Sequence, residues 1–244
     1  MSLSSCCLKG FTWNGTPTGK VSKLGDNDTY ITGDNPDVAL LIVHDAFGWT
    51  FNNARLLADH YAREINATVY LPDFLGGEIL DVDLDFATFD IKAFIGRNSR
   101  EIREPEIFAA AKILRQKYKK VGAVGYCYGG WAVFRLGSKD HSPPLVDAIS
   151  TGHPSLLTKK DIDEVAAPVQ LLAPELDQTF TAELKAHAFE TLQKLNLEFE
   201  YRHFPGIAHG ALVRGDEKNP GEQLAMVKAK NSAVNWFKQF LHEV

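Results

Sequence analysis

Short apolar runs alternate with stretches of helical periodicity along most of the chain. Residues 38–43 are consecutive apolar side chains, the pattern of a strand covered on both faces. The next stretch has apolar residues three and four positions apart, which predicts a helix beginning at Asn52 or Asn53. Further strands are predicted at 68–71, 121–124, 145–151, 168–173 and 199–204, and further helices at 105–118, 128–137, 184–195 and 220–241. This alternation predicts an α/β domain with a mainly parallel sheet and helices on both faces.

Two parts of the chain depart from the alternation. The first thirty or so residues carry turn signals between short alternating pieces, which predicts a hairpin or an edge arm. Residues 74–104 combine a Gly-Gly pair, an acidic cluster and several aromatic residues without clear periodicity. We interpret this excursion as a partial lid, or else as a surface loop whose aromatic residues pack beneath it. With 244 residues, 45% of them apolar, the whole chain, 1–244, fits a single domain.

The run at 121–131 combines the end of a buried strand, a tight turn and a reactive side chain. Cys127 stands between Gly125 and Gly129. Glycine has no Cβ, so these two residues leave room where a strand reverses directly into a helix. This is the pattern of the Gly-x-Ser-x-Gly nucleophile elbow, with cysteine in place of serine. A thiol buried for packing is the alternative, but packing alone does not require the flanking glycines.

A carboxylate and a histidine follow later strands at the same edge of the predicted sheet. Asp177 follows the strand at 168–173 and His209 follows the strand at 199–204. Open α/β sheets build their sites at the carboxyl ends of their strands. The order nucleophile, acid, histidine is that of the α/β-hydrolase triad. Other candidates stay open: Glu175 for the acid, and His44, His153 and His203 for the base.

These residues resemble the dienelactone hydrolases, the cysteine-nucleophile branch of the α/β-hydrolases, and in particular the fungal members. The elbow at 125–130 and the His-Gly pair at 209–210 are the specific motifs. Supporting motifs cover nearly the whole chain: Cys6-Cys7, Gly-Thr-Pro-Thr-Gly at 15–19, Asn52-Asn53, Leu-Leu-Ala-Asp at 56–59, Leu71-Pro72-Asp73 and Arg214-Gly215-Asp216. The resemblance implies an α/β-hydrolase fold and hydrolysis of small esters or lactones, with no metal and no organic cofactor. It also favours Asp177 over Glu175.

The residue types support the same chemistry. A thiolate at Cys127 attacks the carbonyl carbon, His209 moves the proton, and Asp177 holds the imidazole in the useful tautomer. Two backbone N–H groups would receive the oxyanion. We expect one from Tyr128, at the start of the elbow helix, and the other from Ala46, in the loop after residues 38–43.

Asp45 precedes the predicted oxyanion residue. Bacterial members of the family typically carry a glutamate at this place, and the resemblance implies that the carboxylate influences the ionisation of the thiol. The shorter aspartate has less reach, and the neighbouring His44 can form a local hydrogen bond instead. The alternative is that Asp45 caps the turn at Phe47-Gly48.

Several residues are candidates for contact with the substrate. The resemblance suggests that Arg214 binds a substrate carboxylate, and the alternative is a rim salt bridge with Asp216 or Glu217. A second such arginine could be Arg97 or Arg100. The aromatic candidates for contact with an apolar or planar acyl group are Phe47, Trp49 and Tyr126.

The composition narrows the class of partner. A formal charge of −5, from 26 Lys and Arg against 31 Asp and Glu, gives no general attraction to nucleic acid or to membrane surfaces. Without a long apolar segment or a secretory leader pattern, we expect a cytoplasmic protein. The three cysteines lack the spacing of a zinc site or a disulfide framework, and we interpret the pair Cys6-Cys7 as structural. We expect a small-molecule substrate and a monomer or homodimer.

The sequence therefore predicts a hydrolase of small carboxylic esters or lactones that works through a cysteinyl acyl-enzyme. Two alternatives use the same scaffold. One is a non-catalytic binding protein for a small lactone, and the other is a thiol-dependent acyltransferase whose acceptor is not water.

Overall fold

The computed structural model describes residues 12–80, 89–216 and 218–242. The strands in these ranges are β1 (Lys20–Leu24), β2 (Asn27–Thr32), β3 (Val38–Val43), β4 (Thr68–Pro72), β5 (Lys120–Tyr126), β6 (Ala148–Gly152), β7 (Val169–Leu176) and β8 (Phe199–Ala208). The helices are α1 (Asn52–Tyr61, continued by a π-helical turn over Ala62–Asn66), α2 (Ile91–Arg97), α3 (Arg100–Lys117), α4 (Gly129–Leu136), α5 (Lys159–Asp163), α6 (Ala182–Lys194) and α7 (Pro220–Leu241).

The strands form an eight-stranded sheet in the order β1-β2-β4-β3-β5-β6-β7-β8. β1 and β2 pair antiparallel as an edge hairpin, and β2 pairs antiparallel with β4. All neighbours from β4 to β8 are parallel. The prediction of a mainly parallel sheet is confirmed, and the turn signals near the N-terminus correspond to the edge hairpin.

Alternate residues of the central strands enter two separate hydrophobic layers. In β3, Leu41 and Val43 belong to the layer that includes α3, α4 and α6, whereas Leu40 and Ile42 belong to the layer that includes α1 and α7. All of β3 is buried, which explains why its sequence is a continuous apolar run. Helices therefore cover both faces of the sheet, as predicted.

Polar residues of α1 attach the segment before β1 to the domain. Asn53 Oδ1 accepts from the Trp13 N–H at 2.7 Å. Asp59 Oδ2 accepts from the Thr18 N–H at 2.7 Å, and its Oδ1 accepts from the Tyr30 hydroxyl at 2.7 Å. The segment before β1, which includes the motif at 15–19, is therefore hydrogen-bonded to polar residues of α1.

α7 has the predicted bounds, and the spacing predicts a buried stripe of Leu224, Val227, Val234 and Leu241. Val234 and Leu241 are buried as expected, but the first half of the helix buries a different face. Leu224 and Val227, which the spacing places on the buried face, are 53% and 54% exposed. Ala225, Ala229 and Ala233 are buried instead. Small side chains let a helix backbone approach a sheet closely, so side-chain size decides which face packs. Neither α7 nor any other helix in the described ranges is both long and apolar enough to cross a bilayer.

α3 begins at Arg100, ahead of the start that Pro105 predicts, and the proline lies inside the helix. Near a helix N-terminus, a missing N–H removes a single hydrogen bond. The extra turn is stabilised by Arg103, which donates to Asn98 Oδ1 at 2.9 Å and to Glu106 Oε1 at 3.2 Å. The spacing of hydrophobic residues carries no information about these polar contacts, so it could not predict the extra turn.

The stretch at 74–104 is only partly irregular, because it contains α2 and the first turn of α3. Phe74, Leu75 and Phe94 are buried in the core. The Leu80 N–H donates to Ala46 O at 3.1 Å, so this stretch adjoins the loop after β3. Residues 81–88, which carry the acidic cluster, lie outside the described residues, as do Cys6 and Cys7. The lid stays a prediction.

Candidate active site

β5 brings Cys127 to the carboxyl edge of the sheet. Cys127 has a φ of +49°, a conformation that strains a residue with a Cβ. Backbone hydrogen bonds hold it there: the Cys127 N–H donates to Gly152 O at 3.1 Å, and the Ser155 N–H donates to Cys127 O at 2.7 Å. The thiol is thus carried on a sharp turn between a strand and a helix.

The glycines around Cys127 are required by close backbone contacts. A Cβ at Gly125 would lie 2.2 Å from Gly129 O, and a Cβ at Gly129 would lie 2.0 Å from Val43 O. Real Cβ atoms essentially never approach backbone atoms this closely. The pattern that predicted an elbow therefore has a steric cause, namely the packing of α4 against the ends of β3 and β5.

A thiol, an imidazole and a carboxylate meet beyond the strand ends. Cys127 Sγ lies 3.2 Å from His209 Nε2, and His209 Nδ1 lies 2.9 Å from Asp177 Oδ1. The side chains of His209 and Asp177 are both 0% exposed. An ionised carboxylate can only accept, so Nδ1 carries the hydrogen and Nε2 faces the sulfur as an acceptor. This arrangement can take a proton from the thiol.

Asp177 is held by its own turn as well as by His209. Its Oδ1 accepts from the N–H groups of Thr179 at 2.9 Å and Phe180 at 3.0 Å, and from the Thr179 hydroxyl at 2.8 Å. Burial raises the pKa of Asp177, but the hydrogen bond and charge of His209 and the Phe180 N–H together outweigh burial and hold this pKa well below its usual range. Asp177 is therefore an anion at neutral pH.

Glu175, the alternative acid, points elsewhere. Its carboxylate is exposed, and Oε2 accepts from the Gly206 N–H at 2.7 Å. His209 thus contacts Asp177, the acid that the family resemblance favoured. β8 continues through 205–208, beyond the predicted strand end at 204, and His209 follows directly at the end of the strand.

Two of the alternative bases, His44 and His203, have other surroundings. His44 donates from Nδ1 to Asp45 O at 2.7 Å and accepts at Nε2 from the Phe74 N–H at 3.2 Å, so the predicted local hydrogen bond is present. Burial lowers its pKa, which keeps it neutral. His203 is exposed on β8. The described ranges contain no cluster of three or more His, Cys, Asp or Glu side chains that could hold a metal ion.

His153 is the histidine that approaches the site. Its ring centroid lies 4.9 Å from that of His209 in an edge-on arrangement. It is fully buried, and neither ring nitrogen has a hydrogen-bond partner within the described part of the chain. Burial, followed by the nearby His209 and Arg214, lowers its pKa well below the usual value. His153 therefore packs as a neutral ring beside the imidazole.

The two predicted oxyanion donors belong to adjacent strand ends. Val43 pairs with Gly125, so the loops after β3 and β5 leave the sheet side by side. Tyr128 is the N-cap of α4, and its hydroxyl donates to Asn98 O at 2.9 Å. Ala46 is buried in the loop after β3. The positive end of the α4 dipole lies at Tyr128, where developing negative charge is favoured.

Asp45 and Arg214 form a buried ion pair. Arg214 Nε lies 3.3 Å from Asp45 Oδ2, and the two side chains are 0% and 2% exposed. Asp45 Oδ1 accepts from the Phe47 N–H at 3.0 Å, so this carboxylate also caps the turn. The guanidinium lies 4.6 Å from the centroid of the Phe47 ring. The Arg214 guanidinium is therefore buried rather than at the rim, and Glu217, one of the two acids of the alternative salt bridge, lies outside the described residues.

The remaining substrate-binding candidates have partners within the chain. Arg97 binds Glu78 with two hydrogen bonds of 2.8 and 2.9 Å, and Arg100 binds Asp161 with two of 2.9 and 2.7 Å. Both guanidinium forks are thus occupied by carboxylates of the protein itself.

The predicted aromatic candidates differ in their surroundings. The half-buried Trp49 lies under Arg55, whose guanidinium carbon is 4.9 Å from the ring centroid. Tyr126 is a core residue, and its hydroxyl binds that of Tyr61. As the last residue of β5 it points into the layer under α1 and α7, which suits packing better than contact with a substrate.

Two hydroxyl residues near the thiol were missed by the sequence reasoning. Ser155 Oγ lies 3.4 Å from Cys127 Sγ, and Thr179 Oγ1 lies 3.1 Å from His209 Nδ1. Both follow parallel strands, β6 and β7, at the same edge of the sheet as Cys127. That placement was the available signal, since loops at this edge build the site.

Comparison with known proteins identifies the family. The model of the dienelactone hydrolase family matches residues 28–241. Hydrolase tropI of Talaromyces stipitatus is 32% identical, with 98% of this chain and 97% of that protein covered. Dienlactone hydrolase 1 of Gibberella moniliformis is 27% identical, with 97% and 93% covered. This chain belongs to the dienelactone hydrolase family.

A solved structure agrees in fold. The dienelactone hydrolase from Anabaena variabilis superposes with a TM-score of 0.65, covering 92% of this chain and 98% of that one at 18% identity. The α/β-hydrolase fold that the resemblance implied is confirmed. As a member of the dienelactone hydrolase family, the chain is an ester or lactone hydrolase, and its substrate is a small molecule.

Proposed function

We propose that this dienelactone hydrolase family member cleaves small carboxylic esters or lactones through a thioester on Cys127. His209 serves as base and then acid, and Asp177 orients and stabilises its ring. The observation that carries the proposal is the contact of 3.2 Å from Cys127 Sγ to His209 Nε2, continued by that of 2.9 Å from Nδ1 to Asp177 Oδ1. Family membership supports hydrolysis, and this line of contacts supports the thiol as the nucleophile.

In the first half-reaction the thiol proton moves to His209 Nε2 and the sulfur attacks the carbonyl carbon. The carbonyl oxygen becomes an oxyanion that accepts hydrogen bonds from the N–H groups of Tyr128 and Ala46. As the intermediate collapses, the C–O bond to the leaving alcohol breaks and His209 returns the proton to the leaving oxygen. Asp177 stays ionised and stabilises the imidazolium.

In the second half-reaction water replaces the alcohol. His209 takes a proton from the water, the hydroxide attacks the thioester, and the C–S bond breaks. The proton on His209 returns to the sulfur, which regenerates the thiol at Cys127. The product is a carboxylic acid, and a lactone opens to a single product that carries both oxygen functions.

Arg214 and Asp45 are proposed to set the charge at the acyl side. Arg214 offers a planar fork suited to a carboxylate, and Asp45 Oδ2 lies 3.3 Å from its Nε. A substrate carboxylate would bind there in competition with Asp45. Asp45 lies in the loop after β3, and β3 is the neighbour of β5, the strand that leads to Cys127. Phe47, beneath the guanidinium, and Trp49 are proposed to contact the acyl group.

The test is substitution of the thiol. Cys127→Ala should lower kcat on p-nitrophenyl acetate and on a dienelactone by at least about 10³-fold, since the nucleophile is lost. Mass spectrometry of the wild-type protein, quenched during turnover, should find the acyl group on the peptide that contains Cys127. Wild-type turnover by Cys127→Ala would rule out the proposal.

Two measurements separate the alternatives that share this scaffold. In isotopically labelled water, hydrolysis puts the label into the acid product, whereas transfer to another acceptor does not. A binding protein would bind a lactone without turnover, and would leave Cys127 without acyl adduct.

A further inference from the structure

The loop after β6 is pressed against the nucleophile elbow. His153 and Leu156 have φ values of +40° and +58°, conformations that non-glycine residues keep only when their surroundings hold them. The His153 N–H donates to Leu172 O at 3.1 Å, and Arg100 Nη1 donates to Leu156 O at 3.0 Å. Both strained residues are therefore fixed by hydrogen bonds to other elements.

Between these two residues, Ser155 and Pro154 contact the elbow directly. The Ser155 N–H donates to Cys127 O at 2.7 Å. A Cβ at Gly130 would lie 2.3 Å from Pro154 Cβ, which shows how closely the loop approaches α4. Ser155 is 3% exposed. Its side chain is thus placed by the same strained turns that bring the loop to the thiol.

The Ser155 hydroxyl lies between the sulfur and a second hydroxyl. Its Oγ is 3.4 Å from Cys127 Sγ and 3.3 Å from Thr179 Oγ1. Thr179 Oγ1 in turn lies 2.8 Å from Asp177 Oδ1 and 3.0 Å from Pro154 O. Two hydroxyl groups therefore connect the thiol to the carboxylate along a path that bypasses His209.

The number of hydrogens fixes the direction of this path. Asp177 Oδ1 and Pro154 O can only accept, so the single hydroxyl hydrogen of Thr179 goes to one of them. Thr179 Oγ1 then faces Ser155 as an acceptor. The hydroxyl hydrogen of Ser155 has two acceptors within reach, Thr179 Oγ1 and Cys127 Sγ. A thiol sulfur is a weak acceptor, whereas hydrogen bonds to an ionised group are about twice as strong.

We propose that Ser155 is a further catalytic residue, whose hydroxyl turns from Thr179 to Cys127 Sγ when the thiol ionises and stabilises the thiolate as a hydrogen-bond donor. In this step the S–H bond breaks and an N–H bond forms at His209 Nε2. The Ser155 O–H bond rotates and does not break. When the thioester forms, the sulfur loses its charge and the hydroxyl returns to Thr179 Oγ1.

The inference rests on the proposed role of Cys127, but its test measures the thiol itself. The rate of iodoacetamide alkylation at Cys127 is followed against pH by mass spectrometry of the peptide that contains it, and is normalised to its high-pH plateau. In Ser155→Ala the midpoint of this curve should rise by about one pH unit, so that alkylation below the midpoint is roughly tenfold slower. Ser155→Thr, which keeps the hydroxyl, should keep the wild-type midpoint.

Ser138→Ala is the matched control, because Ser138 is equally buried and its hydroxyl accepts from the Asp140 N–H instead of facing the thiol. It should leave the midpoint unchanged. Ser155→Gly removes the same hydroxyl and should reproduce the shift if Ser155→Ala does not fold. A wild-type midpoint in a folded variant without the hydroxyl overturns the inference, as does an equal shift in Ser138→Ala.

The two proposals fail in different ways. Turnover by Cys127→Ala would refute the nucleophile, whatever the alkylation curves show. An inactive Cys127→Ala together with an unshifted curve for Ser155→Ala would refute only the role of Ser155.

Discussion

One oxygen of Asp177 accepts several hydrogen bonds, and together they fix the position of the carboxylate. Its Oδ1 receives His209 Nδ1 together with donors from Thr179 and Phe180. The backbone donors fix the carboxylate, and the carboxylate fixes the hydrogen of His209 on Nδ1. The hydrogen bonds of Asp177 therefore hold the proton-accepting nitrogen, Nε2, toward the thiol.

Substitution of this acid should lower activity with little change in fold. Asp177→Asn presents an amide that can donate to His209 Nδ1, which would move the ring hydrogen to Nε2 and leave no acceptor for the thiol proton. We expect kcat to fall by about 10³- to 10⁴-fold, the size of effect known for such tautomer errors. Steady-state kinetics on p-nitrophenyl acetate measure this loss.

Glu175→Gln is the matched control, because Glu175 lies in the same strand end and binds the Gly206 N–H at the surface. Its kcat should stay within about twofold of wild type. If both variants lose activity equally, Asp177 is not the orienting acid.

The Asp45–Arg214 pair should be important for stability, since both groups are buried. Removing one partner of a buried ion pair typically costs about 3–5 kcal/mol. We expect Asp45→Asn to lower the free energy of unfolding by about 3 kcal/mol, and Arg214→Met to cost less in that background than alone. Urea unfolding of the single and double variants measures this coupling.

The exposed pair Arg97–Glu78 serves as the comparison, with side chains that are 54% and 35% exposed. The same double-variant cycle on this pair should give a much smaller coupling, because solvent screens it. Equal coupling for the two pairs would contradict the importance assigned to burial.

At the scale of elements, the packing of α4 against β3 depends on Gly129. Its missing Cβ would stand 2.0 Å from Val43 O, a backbone atom that cannot move aside. We expect Gly129→Ala to lower the free energy of unfolding by about 3 kcal/mol, measured by urea unfolding. Gly96→Ala in α2 is the control: a Cβ there meets nothing within 4 Å, so it should be neutral or stabilise by up to about 1 kcal/mol. A neutral Gly129→Ala would show that the elbow relaxes more easily than its contacts imply.

A strand buried on both faces could be predicted from sequence, but the buried face of a helix that packs through small side chains could not. β3 is apolar throughout because both of its faces are covered, and Asn219 and Pro220 give α7 a clear start. The buried face was misplaced only in the first half of α7, because alanines pack there while Leu224 and Val227 are exposed. Periodicity reports hydrophobicity, whereas close packing of a helix also rewards small side chains.

The residues of the candidate site also differ in whether the sequence could predict them. The convergence of Cys127, Asp177 and His209 was predictable because each follows a strand and their order is characteristic. The pairing of Asp45 with Arg214 was not, since residues distant in sequence show no common pattern when their side chains meet. Ser155 and Thr179 were missed for a different reason: hydroxyl residues are common in loops, and only distances of 3.1 to 3.4 Å to the thiol and imidazole distinguish these two.

At the scale of the whole molecule, two of the three histidines that are buried in the described ranges have a lowered pKa. His44 and His153 are 1% and 0% exposed, and burial lowers the pKa of each in the folded state. In the unfolded chain both regain a pKa of about 6.5. Below that pH these two groups bind more protons in the unfolded state than in the folded state, so their contribution to folding stability falls as the pH falls.

Asp177 affects folding stability in a different pH range. Its pKa is lowered in the folded state, so its stabilising contribution is present above about pH 4 and is lost only as the pH falls further, toward its folded-state value. The contribution of His44 and His153 between pH 6.5 and 5 is therefore separate in pH from that of this carboxylate.

Replacement of His153 should flatten this dependence. Each buried histidine that stays neutral lowers the free energy of unfolding by up to about 1.4 kcal/mol for each pH unit below about 6.5. His153 forms no side-chain hydrogen bond in the described part of the chain, so His153→Phe keeps a ring of similar shape and removes one titrating group. Urea unfolding at pH 7.5, 6.5 and 5.5 should show a smaller loss for His153→Phe than for wild type. The exposed His203 is the matched control: His203→Gln should follow the wild-type dependence, and a wild-type slope in His153→Phe would mean that His153 is protonated in the folded protein after all.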